Sequence, residues 1–230
     1  SDAAGTLLLN LKSKKWDEDI LTTFGIDKEK LPSLIESTGE AGLVKSEILN
    51  VLGIKSPVKV FAGGADNACG ALATGIVDEK RGMCSIGTSG VFLSYEGNKI
   101  TDYEGKLHYF NHVLPNTFYS MGVTLAAGQS LTWFKDTFGG ALSFDELTAL
   151  ADQSTIGANG LLFSPFIMGE RTPYVDSSIR ASFIGMDANH QLKDFSRAVI
   201  EGITMSLKES QIIMEEVTSR HFDEIISVGG

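Results

Sequence analysis

An isolated carboxylate is the first group in this chain whose surroundings point to chemistry. Asp66 stands in Phe61-Ala-Gly-Gly-Ala-Asp-Asn-Ala-Cys-Gly70, among glycines and alanines, with no cation between Phe61 and Gly75 to pair it. A carboxylate is expensive to bury in such company. It therefore serves either as a helix cap or as a reactive group, and the glycines before it permit a ligand to come close. About twenty residues later comes Gly87-Thr88-Ser89-Gly90. That tetrapeptide is equally readable as a tight hairpin turn or as a loop whose backbone amides and hydroxyls surround an anion. A carboxylate facing a bound phosphate donor suits a base that accepts a hydroxyl proton in phosphoryl transfer.

The other candidates carry less. Val91 stands where a nucleophile elbow needs its last glycine. Gly105-Lys106 is followed by Leu107 and lacks the upstream glycine of a P-loop, and Gly63-Gly64 lacks the spacing of a dinucleotide fingerprint. His108 and His112 lie four apart in a strand-like alternation with no acidic partner, which argues against a metal site. Gly169-Glu-Arg-Thr-Pro173 reads as a turn with a Glu–Arg pair, and Gly229-Gly230 after an apolar strand is a weak signal by itself, since many loops begin that way.

These residues need elements to hold them. The pattern predicts a strand at Thr6–Leu11, a short helix over 17–25 ended by Gly25, and a second helix over 44–54 ended by Gly53. A buried strand opened by Pro57 then runs into the glycines, and a helix starts at their far end, which places Asp66 at a helix N-terminus at the edge of a sheet. After the polar connection Val77–Gly82 the character changes to two β-rich runs flanking Gly87–Gly90, a hairpin signal. More strand is expected within 107–124, and then a helix over 126–139. A second helix follows with Ser143 and Glu146 as a capping box, and after it an irregular, strand-containing excursion. From about Leu192 to Val217, Leu192, Phe195, Val199, Ile203 and Leu207 recur at steps of three or four, the spacing of one buried helix face. Beside them runs a stripe of small residues, Ala198, Gly202, Ser206 and Ser210, which permits close approach of a neighbouring element. Glu224–Gly230 reads as a final buried strand. The alternation of strands and helices is that of an α/β protein.

Composition sets the bounds. A chain of 230 residues with 43% hydrophobic residues can bury a sizeable core. The net charge of −10 argues against non-specific nucleic-acid binding, yet leaves phosphate ligands open, because backbone amides and helix N-termini hold them without lysine or arginine. No apolar run approaches the roughly 18 residues of a membrane span. Cys69 and Cys84 form neither a metal spacing nor a disulfide framework, which points to a reducing, cytoplasmic setting. The chain opens inside a strand-like region and stops directly after an apolar strand, so we expect a middle part of a longer protein.

Taken together in their order, GGADNACGA, CSIGTSG, GERTP and SFIGMDANHQLKDFSRAVIEG resemble the FGGY family of carbohydrate kinases. The last stretch fits that family's second signature through Ala181, Phe183, Gly185, Asp194, Phe195, Ala198 and Glu201, and the likeness runs through the whole chain. The resemblance implies an actin-like, ribonuclease-H-like fold, with residues 1–78 closing a first, sugar-binding domain and 79–230 opening a second, ATP-binding one. It implies Asp66 as the catalytic base as well as a helix cap, and Asn67 as a sugar-binding neighbour. Gly87, Thr88 and Ser89 become the phosphate loop, Gly128 a position near the nucleotide, and Gly229 with Gly230 the start of the adenosine loop. ATP and Mg²⁺ are the implied cofactors. The implied acceptor is a ketopentose, D-xylulose, because members acting on it have Gly-Asp-Asn at the base, where this chain has Ala65-Asp66-Asn67, and Gly-Thr-Ser-Gly-Val at the loop. Sister kinases for gluconate, ribulose or glycerol are the nearest alternative, and a non-catalytic actin-like nucleotide-binding module is the alternative of another class. No nucleic acid and no membrane is expected as a partner, homodimer formation stays open, and the 230-residue chain by itself is expected to be inactive.

Overall fold

Where the leucine-rich pattern predicts a strand, the chain instead opens on a 3₁₀ turn, Asp2–Thr6, closed by Leu7 at φ +61°. Only Leu9–Asn10 (β1) is strand, paired antiparallel with Lys15–Trp16 (β2). The helix Glu18–Phe24 (α1) begins as its sequence predicts. Asp17 accepts the backbone N–H groups of Asp19 and Ile20 at 3.1 and 3.2 Å, and Gly25 ends it in the left-handed conformation that glycine adopts without steric cost. Glu40–Leu43 (β3), Ser46–Val51 (α2) and Lys59–Phe61 (β4) follow, β3 and β4 pairing antiparallel in a two-stranded sheet. The apolar run of β4 predicts burial, but its three residues are exposed. A two-stranded ribbon has no second layer of its own to bury them. Asp66–Ala73 (α3) then starts directly after the glycines, its Ala68 and Ala71 fully buried.

This computed structural model describes residues 1–229. It divides into two units, one of Ser1–Asp78 with Tyr95–Ile100 and Tyr109–Tyr119, the other of Glu79–Ser94, Thr101–His108 and Ser120 onward. Arg81–Ile86 (β5) and Gly90–Gly97 (β6) form the expected antiparallel hairpin around the Gly-Thr-Ser turn. His108–Asn111 (β7) and Phe118–Thr124 (β8) supply the further strand, and Gly128–Phe138 (α4) and Phe144–Ala151 (α5) the next helices. The capping box at α5 is formed, with Ser143 N–H donating to Glu146 Oε2 at 2.7 Å and Glu146 N–H to Ser143 Oγ at 3.2 Å. Leu162–Ser164 (β9) pairs antiparallel with Ser182–Ile184 (β10) inside the irregular excursion. Leu192–Thr218 (α6) matches the predicted long helix, and Glu224–Gly229 (β11) closes the chain.

The main sheet has the order β11-β5-β6-β8-β7, with β11 parallel to β5. β11 is therefore an edge strand. Only Ile226 and Val228 are even half-buried, which corrects the expectation of a fully buried strand. The core of this unit gathers Phe134, Leu147, Leu161, Val199 and Leu207. The small-residue stripe of α6 is its line of closest approach to neighbouring strands. A Cβ on Gly202 would lie 2.2 Å from the Phe163 carbonyl oxygen of β9, and Ser206 Oγ sits 2.7 Å from Thr124 Oγ1 of β8. No helix among the described residues is long and apolar enough to cross a membrane.

Candidate active site

Asp66 is the first residue of α3, and the N-cap position belongs to Ala65. The side chain makes no cap bond. Its Oδ1 accepts the N–H of the next residue, Asn67, at 2.6 Å and lies 3.3 Å from Asn67 Nδ2. The capping role predicted for Asp66 is thus not taken, because the helix starts one residue earlier than a capping aspartate requires. Nor is the group buried: Asp66 is exposed and Asn67 half-buried, so the desolvation cost that made the carboxylate puzzling does not arise. In the same unit a second polar group feels its charge. Tyr119, 3% exposed on β8, has its phenol pushed far above the ordinary range by burial, and the negative charge of Asp66 pushes it further. Nothing near Asp66 in the chain announces Tyr119, since over fifty positions separate them.

In the second unit, Gly87, Thr88 and Ser89 form an exposed turn whose backbone is tied down from several sides. Gly87 N–H donates to Ser89 O at 2.9 Å within the turn. The first two amides of α4 then hold it from outside, Gly128 N–H donating to Gly87 O at 2.9 Å and Gln129 N–H to Thr88 O at 3.0 Å. Gly128 must be glycine here: a Cβ would stand 2.5 Å from the Gly87 oxygen. Those amides would otherwise be a helix N-terminal anion site, but they are committed to the turn. Thr88 and Ser89 themselves stay exposed on the turn. Gly229 pairs with Ile86, the residue just before the turn, so β11 delivers its end beside it. The structure therefore brings Gly87, Thr88, Ser89, Gly128 and Gly229 together from three separate stretches of chain. Gly230, expected to share in the adenosine loop, lies outside the described residues.

The pair expected between Glu170 and Arg171 side chains is replaced by something else. Glu170 Oε1 accepts the backbone N–H of Leu125 at 2.9 Å and of Arg171 at 2.7 Å. Its partner, the connection after β8, is more than forty residues away along the chain, beyond the reach of local pattern.

Residues 1–73 match the N-terminal domain and residues 82–230 the C-terminal domain of the FGGY family of carbohydrate kinases. The chain belongs to that family. It is 56% identical over 230 residues to a xylulose kinase of Lactococcus lactis, covering 100% of this chain and 46% of that protein. It is 50% identical over 230 residues to a xylulose kinase of Bacillus subtilis, again covering 100% and 46%. The crystal structure of a ligand-bound xylulose kinase from Lactobacillus acidophilus superposes with a TM-score of 0.91 at 28% identity, over 99% of this chain and 46% of that one. The chain thus spans about half the length of the relatives it matches, and the mixed α/β architecture is the actin-like ATPase fold of FGGY kinases.

The FGGY signature residues of α6 act here as a brace. Asp194 Oδ1 accepts the Ser154 hydroxyl at 2.6 Å and Asn159 Nδ2 at 2.8 Å, and Oδ2 accepts Gln191 N–H at 2.8 Å. These bonds, that of Ser154 foremost, hold the Asp194 carboxyl below its usual range. Glu201 accepts Gly157 N–H at 3.0 Å and Arg197 Nε at 2.6 Å, while the Phe183 and Phe195 rings meet at 5.2 Å. The bonds from Ser154, Asn159 and Gly157 tie the 154–159 loop to the first half of α6, the Phe183–Phe195 contact ties β10 to it, and the Gln191 and Arg197 bonds lie within the helix and its cap.

Proposed function

We propose that the whole protein is an ATP-dependent carbohydrate kinase that transfers the γ-phosphoryl group of MgATP to a hydroxyl of D-xylulose, giving D-xylulose 5-phosphate. The observation that carries this reading is the 56% identity with the Lactococcus lactis xylulose kinase along all 230 residues. In this reading Asp66 is the general base. As the sugar oxygen forms its bond to the γ-phosphorus and the bond from that phosphorus to the ADP oxygen breaks, the sugar hydroxyl proton passes to an Asp66 carboxylate oxygen. An exposed carboxylate on the first turn of a helix is reachable by a substrate. Asn67 hydrogen-bonds the sugar and, through its amide, orients Asp66. The Gly87–Ser89 turn holds phosphate oxygens, and Gly229 with Gly230 begins the adenosine side. Mg²⁺ enters with the nucleotide phosphates and supplies neutralisation of their charge when bound. Residues 1–78 then belong to the sugar-binding domain and 79–230 to the ATP-binding domain, in a cytoplasmic setting.

The test is a coupled ADP-release assay on the whole protein with MgATP and a panel of D-xylulose, D-ribulose, gluconate and glycerol. D-xylulose should give the highest kcat/KM. A different preferred acceptor would overturn the substrate, and ATP binding without turnover on any of them would overturn the enzyme. Thr88→Val removes a hydroxyl that can bond a charged phosphate oxygen, so the KM for ATP should rise about tenfold, with little change in that for sugar. A rise confined to the sugar KM would mean that the turn serves the other substrate.

A further inference from the structure

Glu170 is 3% exposed, a carboxylate buried in a stretch with little regular structure. Such a group needs a reason to be there. Its Oε1 bonds the backbone amide of Leu125, and two residues later Thr172 completes a clamp on the same piece of chain. Thr172 Oγ1 donates to the Val123 carbonyl at 3.0 Å and accepts the Val123 N–H, while the Thr172 N–H donates to that carbonyl at 3.3 Å. Val123 lies near the end of β8, and Leu125 just past it. Only Ala126 and Ala127 separate Leu125 from Gly128, and Gly128 and Gln129 supply the two amides that hold the carbonyls of Gly87 and Thr88. The connection Leu125-Ala126-Ala127 has no polar side chain with which to fix itself. Ser130 bonds the Ala126 carbonyl through its hydroxyl and the Ala127 carbonyl through its N–H at 2.9 Å, and Glu170 holds the amide at the Leu125 end.

We propose that Glu170 is a positioning residue for the phosphate turn: by accepting the Leu125 amide it sets the β8–α4 connection so that the first amides of α4 meet the turn. The Arg171 amide on the same oxygen keeps the carboxylate aimed. The other oxygen, Oε2, is buried without a partner, and burial pushes the carboxyl above its ordinary pKa. What the geometry uses is an acceptor oxygen, and a neutral amide supplies one. For its effect on ATP, this inference rests on the kinase reading above; for its effect on the turn, it does not.

Amide hydrogen exchange on the whole protein tests it without reference to activity. Glu170→Ala should speed exchange about tenfold in segments 125–129 and 86–90, the loss of one hydrogen bond to a charged group, and leave the α6 segment 192–218 as in the wild type. Glu170→Gln keeps an oxygen acceptor and should restore both segments, which also decides the matter if the alanine variant proves too unstable to study. Kinetics add a second reading: the KM for ATP should rise about tenfold in Glu170→Ala, more than that for sugar, and return in Glu170→Gln. Unchanged exchange at 86–90 in the alanine variant overturns the proposal, and so does a glutamine variant as labile as alanine. If the wild-type protein phosphorylates no sugar, the kinase reading falls while the exchange result still decides the role of Glu170.

Discussion

Asp66→Asn in the whole protein should lower kcat by about 10²–10⁴-fold, the range for loss of a general base. That corresponds to roughly 3–5 kcal/mol of transition-state stabilisation. The substitution is unusually clean here because Asp66 is exposed and is not the cap of its helix. Asparagine keeps an Oδ1 in place to accept the Asn67 N–H that the carboxylate now accepts at 2.6 Å, so the start of α3 has no reason to fray. ATP affinity should hold, since the Gly87–Ser89 turn is fixed by its own bonds to Gly128 and Gln129. The measurement is steady-state kinetics with both substrates varied, beside a thermal unfolding curve. Near wild-type turnover with an unchanged Tm would remove Asp66 from the chemistry and leave it a surface residue of α3.

The second large effect falls on stability. Phe134 is fully buried on α4, with its ring 5.5 Å from that of Phe138 and 6.4 Å from that of Phe183. Phe134→Ala removes a fully buried ring from the core and should cost about 3–5 kcal/mol, the transfer loss plus the cavity left behind. A volume-sparing change, Phe134→Leu, should cost less, within about 1–2 kcal/mol if the neighbours repack. Urea titration distinguishes these outcomes: the midpoint should fall in that order with little change in slope. Because α4 begins with the two amides that hold the Gly87–Ser89 turn, the alanine variant should, on the proposed kinase reading, also weaken ATP binding. A midpoint shift of less than about 1 kcal/mol for Phe134→Ala would mean that the core around α4 collapses freely into the space.

The features legible in the chain were those set by near neighbours. The five apolar residues of α6 recur at helical spacing, and the helix spans Leu192–Thr218. Ser143 and Glu146 form their capping box because both partners lie within one helical turn. The hairpin around Gly87–Gly90 follows from a glycine-bounded turn between two β-rich runs, and the order of the motifs was enough to place the family. Local pattern failed where burial depends on what covers a surface. The apolar runs of β4 and β11 look alike to those of interior strands, yet one lies in a two-stranded ribbon and the other on a sheet edge. It failed again at Thr6–Leu11, where Leu7 at positive φ breaks the strand that the leucines suggest.

Whether Asp66 caps its helix turned on a one-residue shift in the helix start, which residue types alone do not set. The meeting of Gly87, Gly128 and Gly229 depends on β11 pairing with β5 and on α4 starting against the turn. Glu170 found its partner at Leu125, and Tyr119 came under the charge of Asp66. A hydrogen bond or a charge acts over a few ångströms whatever the distance along the chain. Residue types and their periodicity therefore determined the elements and the chemical candidates, and only the tertiary packing decided which candidates stand together and which groups hold them there.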